Sequence, residues 1–187
     1  TSGNPITIGA YGTGNQPVIT GFTNVTSFTQ ISTNIWESSS AVSSLSTCNM
    51  VVINGVNTPM VRYPNSGWLT YSSYTNTSIN SSSLNSSVTN WTGAQLVLFV
   101  NRYTLGRNPI TSESGSTLNF TETTGDNLNG NDKRFFIQND PRTLDAQNEW
   151  YYNPSTKKIR IYSTSSPTNV QVSTIDTLVY LPNNKNY

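Results

Sequence analysis

The sequence predicts an all-β fold, and three observations predict it. Runs at 50–53 and 96–100 are short, apolar and of strand length, 158–162 carries the apolar–polar alternation of a pleated strand, and no window sustains a helical period. Between such runs stand turn formers, among them Asn54-Gly55, Pro64-Asn65 and Asn153-Pro154-Ser155. The composition agrees. Ser, Thr and Asn make up 78 of 187 residues, yet net charge is only +1 and aromatics reach 11%. Disordered chains pair high charge with few aromatics, so this polar chain reads as folded.

Taken in order, the elements start with Ile6 and Ile8, which alternate with Thr7 and Gly9, and with Val18 and Ile19 between Pro17 and Gly21. Strands follow at 33–37 and 50–53. Asn54-Gly55 is the favoured dipeptide of a tight hairpin turn, with its return strand expected at 59–63. Residues 72–90 are rich in Ser, Thr and Asn, with isolated Ile79, Leu84 and Val88, and read as a surface connection holding a short ordered piece. Strands at 96–100, 104–107, 108–111, 117–120 and 134–138 come next. The stretch EWYYNPSTKKIRIY (149–162) is a hairpin with Trp150 and Tyr152 on one side, and with Ile159 and Ile161 alternating with Lys158, Arg160 and Tyr162. Runs at 170–173 and 177–181 complete the chain. Short strands separated by regular turns suit a β-sandwich or barrel.

Several functions are disfavoured. A near-neutral chain without a basic cluster lacks the cations that phosphate backbones require, which argues against nucleic acid. No run reaches the ~18 apolar residues of a membrane span. The lone Cys48 reads as a small strand residue. With no histidine, His-based nucleophile and general-base systems are absent, as are the commonest zinc sites. No Gly-rich loop joins a strand to a helix for phosphate binding.

Three groups of residues carry candidate chemistry. Glycoside hydrolysis needs two carboxylates flanking the bond, and Asp145 with Glu149 is the nearest approach to such a pair. The loop 125–132 is dense in oxygen donors suited to Ca²⁺, from Asp126, Asn129 and Asp132, but lacks EF-hand spacing; a Gly/Asn turn is the simpler reading. Trp68 lies in a Gly-bounded loop with Tyr71 and Tyr74 close by, the residue types that stack on a sugar ring, and these three form the expected glycan contact. Trp36, Trp91 and Trp150 lie in or beside apolar strands and read as core.

The segment GNPITIGAYGTGNQPVITG resembles the early rungs of pectate-lyase-like, right-handed parallel β-helices, with Gly and Asn at the corners. MVVINGVNTPMVRYPN, WTGAQLVL and LDAQNEWYY resemble an all-β module found in secreted bacterial proteins of that class, which often handle polysaccharides. The resemblance implies a β-sandwich or barrel-like module, 24–169, inserted between β-helix rungs at 1–23 and 170–187, with the two flanking segments side by side as parallel rungs. It also implies that both ends of the chain fall within a longer architecture. Trp91, Asp145, Glu149 and Trp150 become structural, with Arg142 as the cation beside the carboxylates, and no residue is assigned to catalysis. The expected role is a non-catalytic module of an extracellular or cell-surface protein that binds a polysaccharide or braces the coil. Two alternatives stay open. One is the N-terminal part of a glycoside hydrolase or polysaccharide lyase whose active rungs lie outside this chain; the other is a structural or adhesive surface protein. The oligomeric state is left open.

Overall fold

The computed structural model describes residues 9–84, 90–122, 125 and 127–180. Among them the chain is all-β, with two single turns of 3₁₀ helix at Ser82–Leu84 and Pro141–Thr143. Two four-stranded antiparallel sheets form a small sandwich. The first has the order β1 (Phe22–Val25), β16 (Val170–Ser173), β4 (Val51–Ile53), β5 (Val56–Thr58); the second, β14 (Trp150–Asn153), β15 (Lys158–Tyr162), β3 (Ile35–Ser38), β2 (Phe28–Ser32). Val51, Ile53, Val170 and Val172 of the first share one core with Trp150, Tyr152, Ile159 and Ile161 of the second. Each position follows from period-two alternation, since Lys158, Arg160 and Tyr162 between the buried isoleucines face away. Burying a side chain of this size stabilises by roughly 1.5–3 kcal/mol, so this cluster holds the two sheets together.

An eight-stranded sheet forms the second body. Its order is β6 (Arg62–Tyr63), β13 (Arg134–Gln138), β10 (Gln95–Phe99), β11 (Leu105–Ser114), β12 (Thr117–Phe120), β9 (Ser78–Asn80), β8 (Ser73–Thr75), and β7 (Leu69–Thr70) also pairs with β13. The ten-residue β11 pairs with β10 through its first half and with β12 through its second, and the register slips between Ile110 and Ser112. Such an irregularity bends a strand. The bent sheet covers a single core of Leu96, Leu98, Ile110, Leu118, Phe135, Ile137 and Trp91. It does not close into a barrel, so of the two expected forms the sandwich describes the molecule.

The two bodies are joined along 59–61, where Trp150 N donates to Pro59 O at 3.2 Å and Val61 N to Trp150 O at 2.8 Å. Met60 and Trp150 form a parallel bridge there.

Several expected elements differ. The hairpin after Asn54-Gly55 returns at 56–58 rather than 59–63, because a two-residue turn with positive φ at both positions (52° and 79°) brings the partner strand back at once. Residues 59–63 instead cross to the large sheet. The expected pair 104–107 and 108–111 is one strand. Within 72–90, β8 and β9 form a sheet edge, with Ile79 and Leu84 buried; Val88 lies outside the described residues. Val18 and Ile19 form no strand and are 82% and 65% exposed, and residues 177–180 are irregular. The expected first strand, around Ile6 and Ile8, lies outside the described residues. The flanking segments do meet, yet β1 and β16 run antiparallel, with Phe22 opposite Ser173 and Val25 opposite Val170, instead of as parallel rungs. A solenoid rung buries its apolar face only against further rungs, and here these strands find partners in the sandwich.

Candidate functional site

The outward face of the large sheet carries a layer of arginines and aromatic rings. Register sets it: Gln95, Val97 and Phe99 of β10 lie beside Gln138 and Phe136 of β13 on one side, and beside Pro109, Arg107 and Leu105 of β11 on the other. Trp68 packs on this layer, its ring centroid 5.0 Å from Phe99 and 5.1 Å from Phe136. The Arg62 guanidinium sits 3.8 Å over the Phe136 ring, while that of Arg134 lies 4.8 Å from Phe99 and 5.4 Å from Trp68. Each such contact stabilises by about 0.5–1 kcal/mol at an exposed site. Arg62 also donates to Pro64 O at 2.9 Å and to Gly67 O, tying down the loop that carries Trp68.

The expected glycan trio is divided by the sheet. Trp68 faces outward, and Leu69 and Tyr71, alternating with it, face the core. Tyr71 is 3% exposed, its ring lies against Phe135, and its hydroxyl donates to Asp132 O at 3.2 Å. Burial pushes the Tyr71 phenol up to about 12, with the charges of Tyr74 and Asp132 adding to the rise. Tyr74 is partly exposed, 5.8 Å from the Tyr71 ring and away from Trp68. The three therefore offer no common platform. Sequence proximity concealed this because a strand sends neighbours to opposite faces. The partners of Trp68 came instead from Arg62 in the RYPN motif and from the alternation Arg134–Phe136, a signal present in the sequence but not tied to Trp68 until β13 is placed beside β10.

Asp145 and Glu149 have different surroundings. Asp145 is exposed and accepts from Asn65 Nδ2 at 2.7 Å. Glu149 is 2% exposed and accepts from the backbone N–H groups of Asp145 (3.4 Å) and Ala146 (3.3 Å). Burial pushes its carboxyl up to about 7; those two N–H groups pull it back, the Asp145 charge adds to the rise and Arg62 opposes it. Asn148, with φ 67°, makes the turn into Glu149 that a glycine would otherwise make. The cation near this carboxyl is Arg62. Arg142, expected in that role, is bound to Asp140 at 2.9 and 2.5 Å and donates to Asn90 O at 2.6 Å. Trp150 is buried, with Nε1 donating to Thr58 O at 2.9 Å, and Trp91 is buried under a stacked Tyr63 ring 5.3 Å away.

In the oxygen-rich loop, Asp132 accepts from Arg134 at 2.9 and 2.6 Å, and Asn129 Oδ1 accepts from Asn131 N at 3.1 Å. Asp126, the third expected Ca²⁺ ligand, lies outside the described residues. Among the described residues no three His, Cys, Asp or Glu side chains are placed to hold a metal ion. No helix among them is long and apolar enough to cross a membrane.

Neither protein-family models nor curated protein sequences match this chain. Among solved structures, a chain described as a glycoside hydrolase is similar, with a TM-score of 0.63 at 13% identity. The match covers 84% of this chain and 32% of that one, so this chain spans about a third of that neighbour. At this identity the likeness is one of fold.

Proposed function

We propose that this chain is a non-catalytic module of a larger, secreted, carbohydrate-associated protein, and that it braces the body of that protein through its two flanking segments. The observation that carries this is where the exposed apolar side chains lie. Of the thirteen large hydrophobic residues exposed among the described residues, Tyr11, Val18, Ile19, Ile175, Leu178, Val179 and Tyr180 all fall in the segments outside β1 and β16. These segments meet where Thr174 N donates to Gly21 O at 2.8 Å, beside a groove lined by Gly21, Phe22, Met50, Ile175 and Leu178. Apolar surface gathered in one region marks a contact with other protein. A glycoside hydrolase in which this fold occupies a third of the chain supports a carbohydrate-associated parent, and the rung-like sequence at 3–21 supports a β-helix as the body it braces. Bracing is favoured over glycan binding at Trp68 because that ring is packed against two phenylalanines and two guanidinium groups.

Hydrogen exchange tests the proposal. Residues 11–22 and 174–180 should exchange slowly in the complete protein and fast in this chain alone, and the triple substitution Val18→Ser, Ile175→Ser, Leu178→Ser should remove binding of a hydrophobic dye by the isolated chain. Equal exchange of these segments in both contexts overturns the bracing role. Release of reducing ends or unsaturated products from polysaccharide by the isolated chain overturns the non-catalytic one.

A further inference from the structure

The first sheet of the sandwich ends on β1, and the alternation of its pairing with β16 fixes which backbone groups are free. Thr174 N donates to Gly21 O at 2.8 Å, and the same register runs on through Thr23↔Val172 and Val25↔Val170, so these residues exchange hydrogen bonds with β16. Phe22 and Asn24, between them, turn their backbone groups to the open side. The N–H of Phe22 is met by Thr20 Oγ1 at 3.1 Å. The C=O of Phe22 and both backbone groups of Asn24 have no partner among the described residues. Soluble proteins guard such an edge with charge, a bulge or a cover. The edge of β14 is bridged by Met60, and β2 carries a register slip between Gln30 and Ser32. By contrast β1 pairs in unbroken register. Charged residues make up 10% of the chain, yet none stands among the first 36, so no charge guards it either.

Both sides of this edge are unfilled. On the inner side Val25 and Val42 are only partly buried against the sandwich core, and a recess of about 200 Å³ lies beside them, lined also by Thr23, Thr26 and Ser40. On the outer side Phe22 and Met50 line the groove that runs to Ile175 and Leu178. We propose that a strand of the parent protein adds to β1, hydrogen-bonding to Phe22 C=O and to the backbone of Asn24, with alternate side chains entering the recess and the groove. This rests on the bracing role and names what the brace grips. Spacing selects an extended strand: the free groups of Phe22 and Asn24 recur at about 6.8 Å along one edge, the repeat of a pleated backbone. Side chains that alternate between two faces match apolar recesses on both. The occupant is the parent and not a second copy of this chain. An edge four residues long offers too few hydrogen bonds and too little area to offset the cost of bimolecular association. A strand of the same polypeptide is already held nearby. The edge also runs directly into Thr20 and Gly21 of the flanking segment, so one surface continues the other.

Amide hydrogen exchange, read residue by residue in the isolated chain and in the complete protein, is the test. In the isolated chain Thr23 and Val25 N–H should exchange slowly and Asn24 N–H fast; in the complete protein Asn24 N–H should slow by about a hundredfold or more. Slow exchange at residues 11–22 and 174–180 with fast exchange at Asn24 in the complete protein overturns strand addition and leaves the bracing role standing. Fast exchange at all of them overturns both. Protection of Asn24 in the isolated chain that vanishes on dilution assigns the edge to a second copy and overturns the proposal. Asn24→Pro removes the donor, and proline is tolerated where the N–H faces away from the sheet. Its reference is Asn24→Ala, which equally lacks the acceptor for Gln171 Nε2. Relative to that variant, Asn24→Pro should lower the melting temperature of the complete protein and not that of the isolated chain; equal shifts in the two contexts overturn the proposal.

Discussion

Replacing Glu149 with Gln should remove most of a stability loss that the wild-type chain shows between about pH 4.5 and pH 7. Glu149 is buried, its carboxyl is pushed up to about 7 from an ordinary 4.5, and only two backbone N–H groups and the Arg62 charge support its ionised form. The sign follows from proton binding. Below about pH 4.5 the group is protonated in folded and unfolded chains alike and does not affect the balance. As pH rises towards 7 the unfolded chain releases its proton freely while the folded chain retains it, so stability falls across this window and levels off above it. A rise of about 2.5 pH units at about 1.4 kcal/mol each sets a ceiling near 3.5 kcal/mol. For a domain of this size that corresponds to roughly 7–14 °C in melting temperature. Glu37 and Asp132 act elsewhere. In Glu37 the upward push of burial is outweighed by Arg160 and Lys158, and in Asp132 the hydrogen bond from Arg134 dominates; both carboxyls are held below the usual range. Their contributions are present above about pH 4 and are lost only in acid. The assay is urea denaturation of wild type and Glu149→Gln at pH 4.5, 6 and 8. The two should differ least at pH 4.5, and the variant should be the more stable at pH 8. Parallel curves across this range would refute the argument, because they would show that burial does not oppose ionisation at this position.

Two further substitutions test the packing. Trp150→Ala should destabilise by roughly 3–5 kcal/mol, since it empties the centre of the sandwich core and leaves Thr58 O without its donor; a denaturation midpoint unchanged from wild type would contradict the core assignment. Asp140→Ala should cost about 2 kcal/mol, because this buried carboxylate accepts from Arg142 N at 2.9 Å, capping the short helix at Pro141–Thr143, and pairs with the Arg142 guanidinium. Asp140→Asn should restore part of that loss, and thermal melts of the two variants give the comparison.

What the sequence determined by itself is local. Alternation in 150–153 and 158–162 named the buried residues of that hairpin, and Asn54-Gly55 named the turn of a different one, between 51–53 and 56–58, because side-chain direction in a strand and positive φ in a turn are properties of a few adjacent residues. The all-β class follows from many such signals together. Only the tertiary structure decided which strands become neighbours. That placement set Trp68 against Phe99 and Phe136 and put Tyr71 on the other side of the same sheet. It brought Arg62, 87 positions away in the chain, into the field of Glu149. It turned the flanking segments into an antiparallel edge and left their apolar residues exposed. Pairing between distant strands depends on the fit of whole faces and the bending of β11 at its register slip, and no short window of sequence contains either.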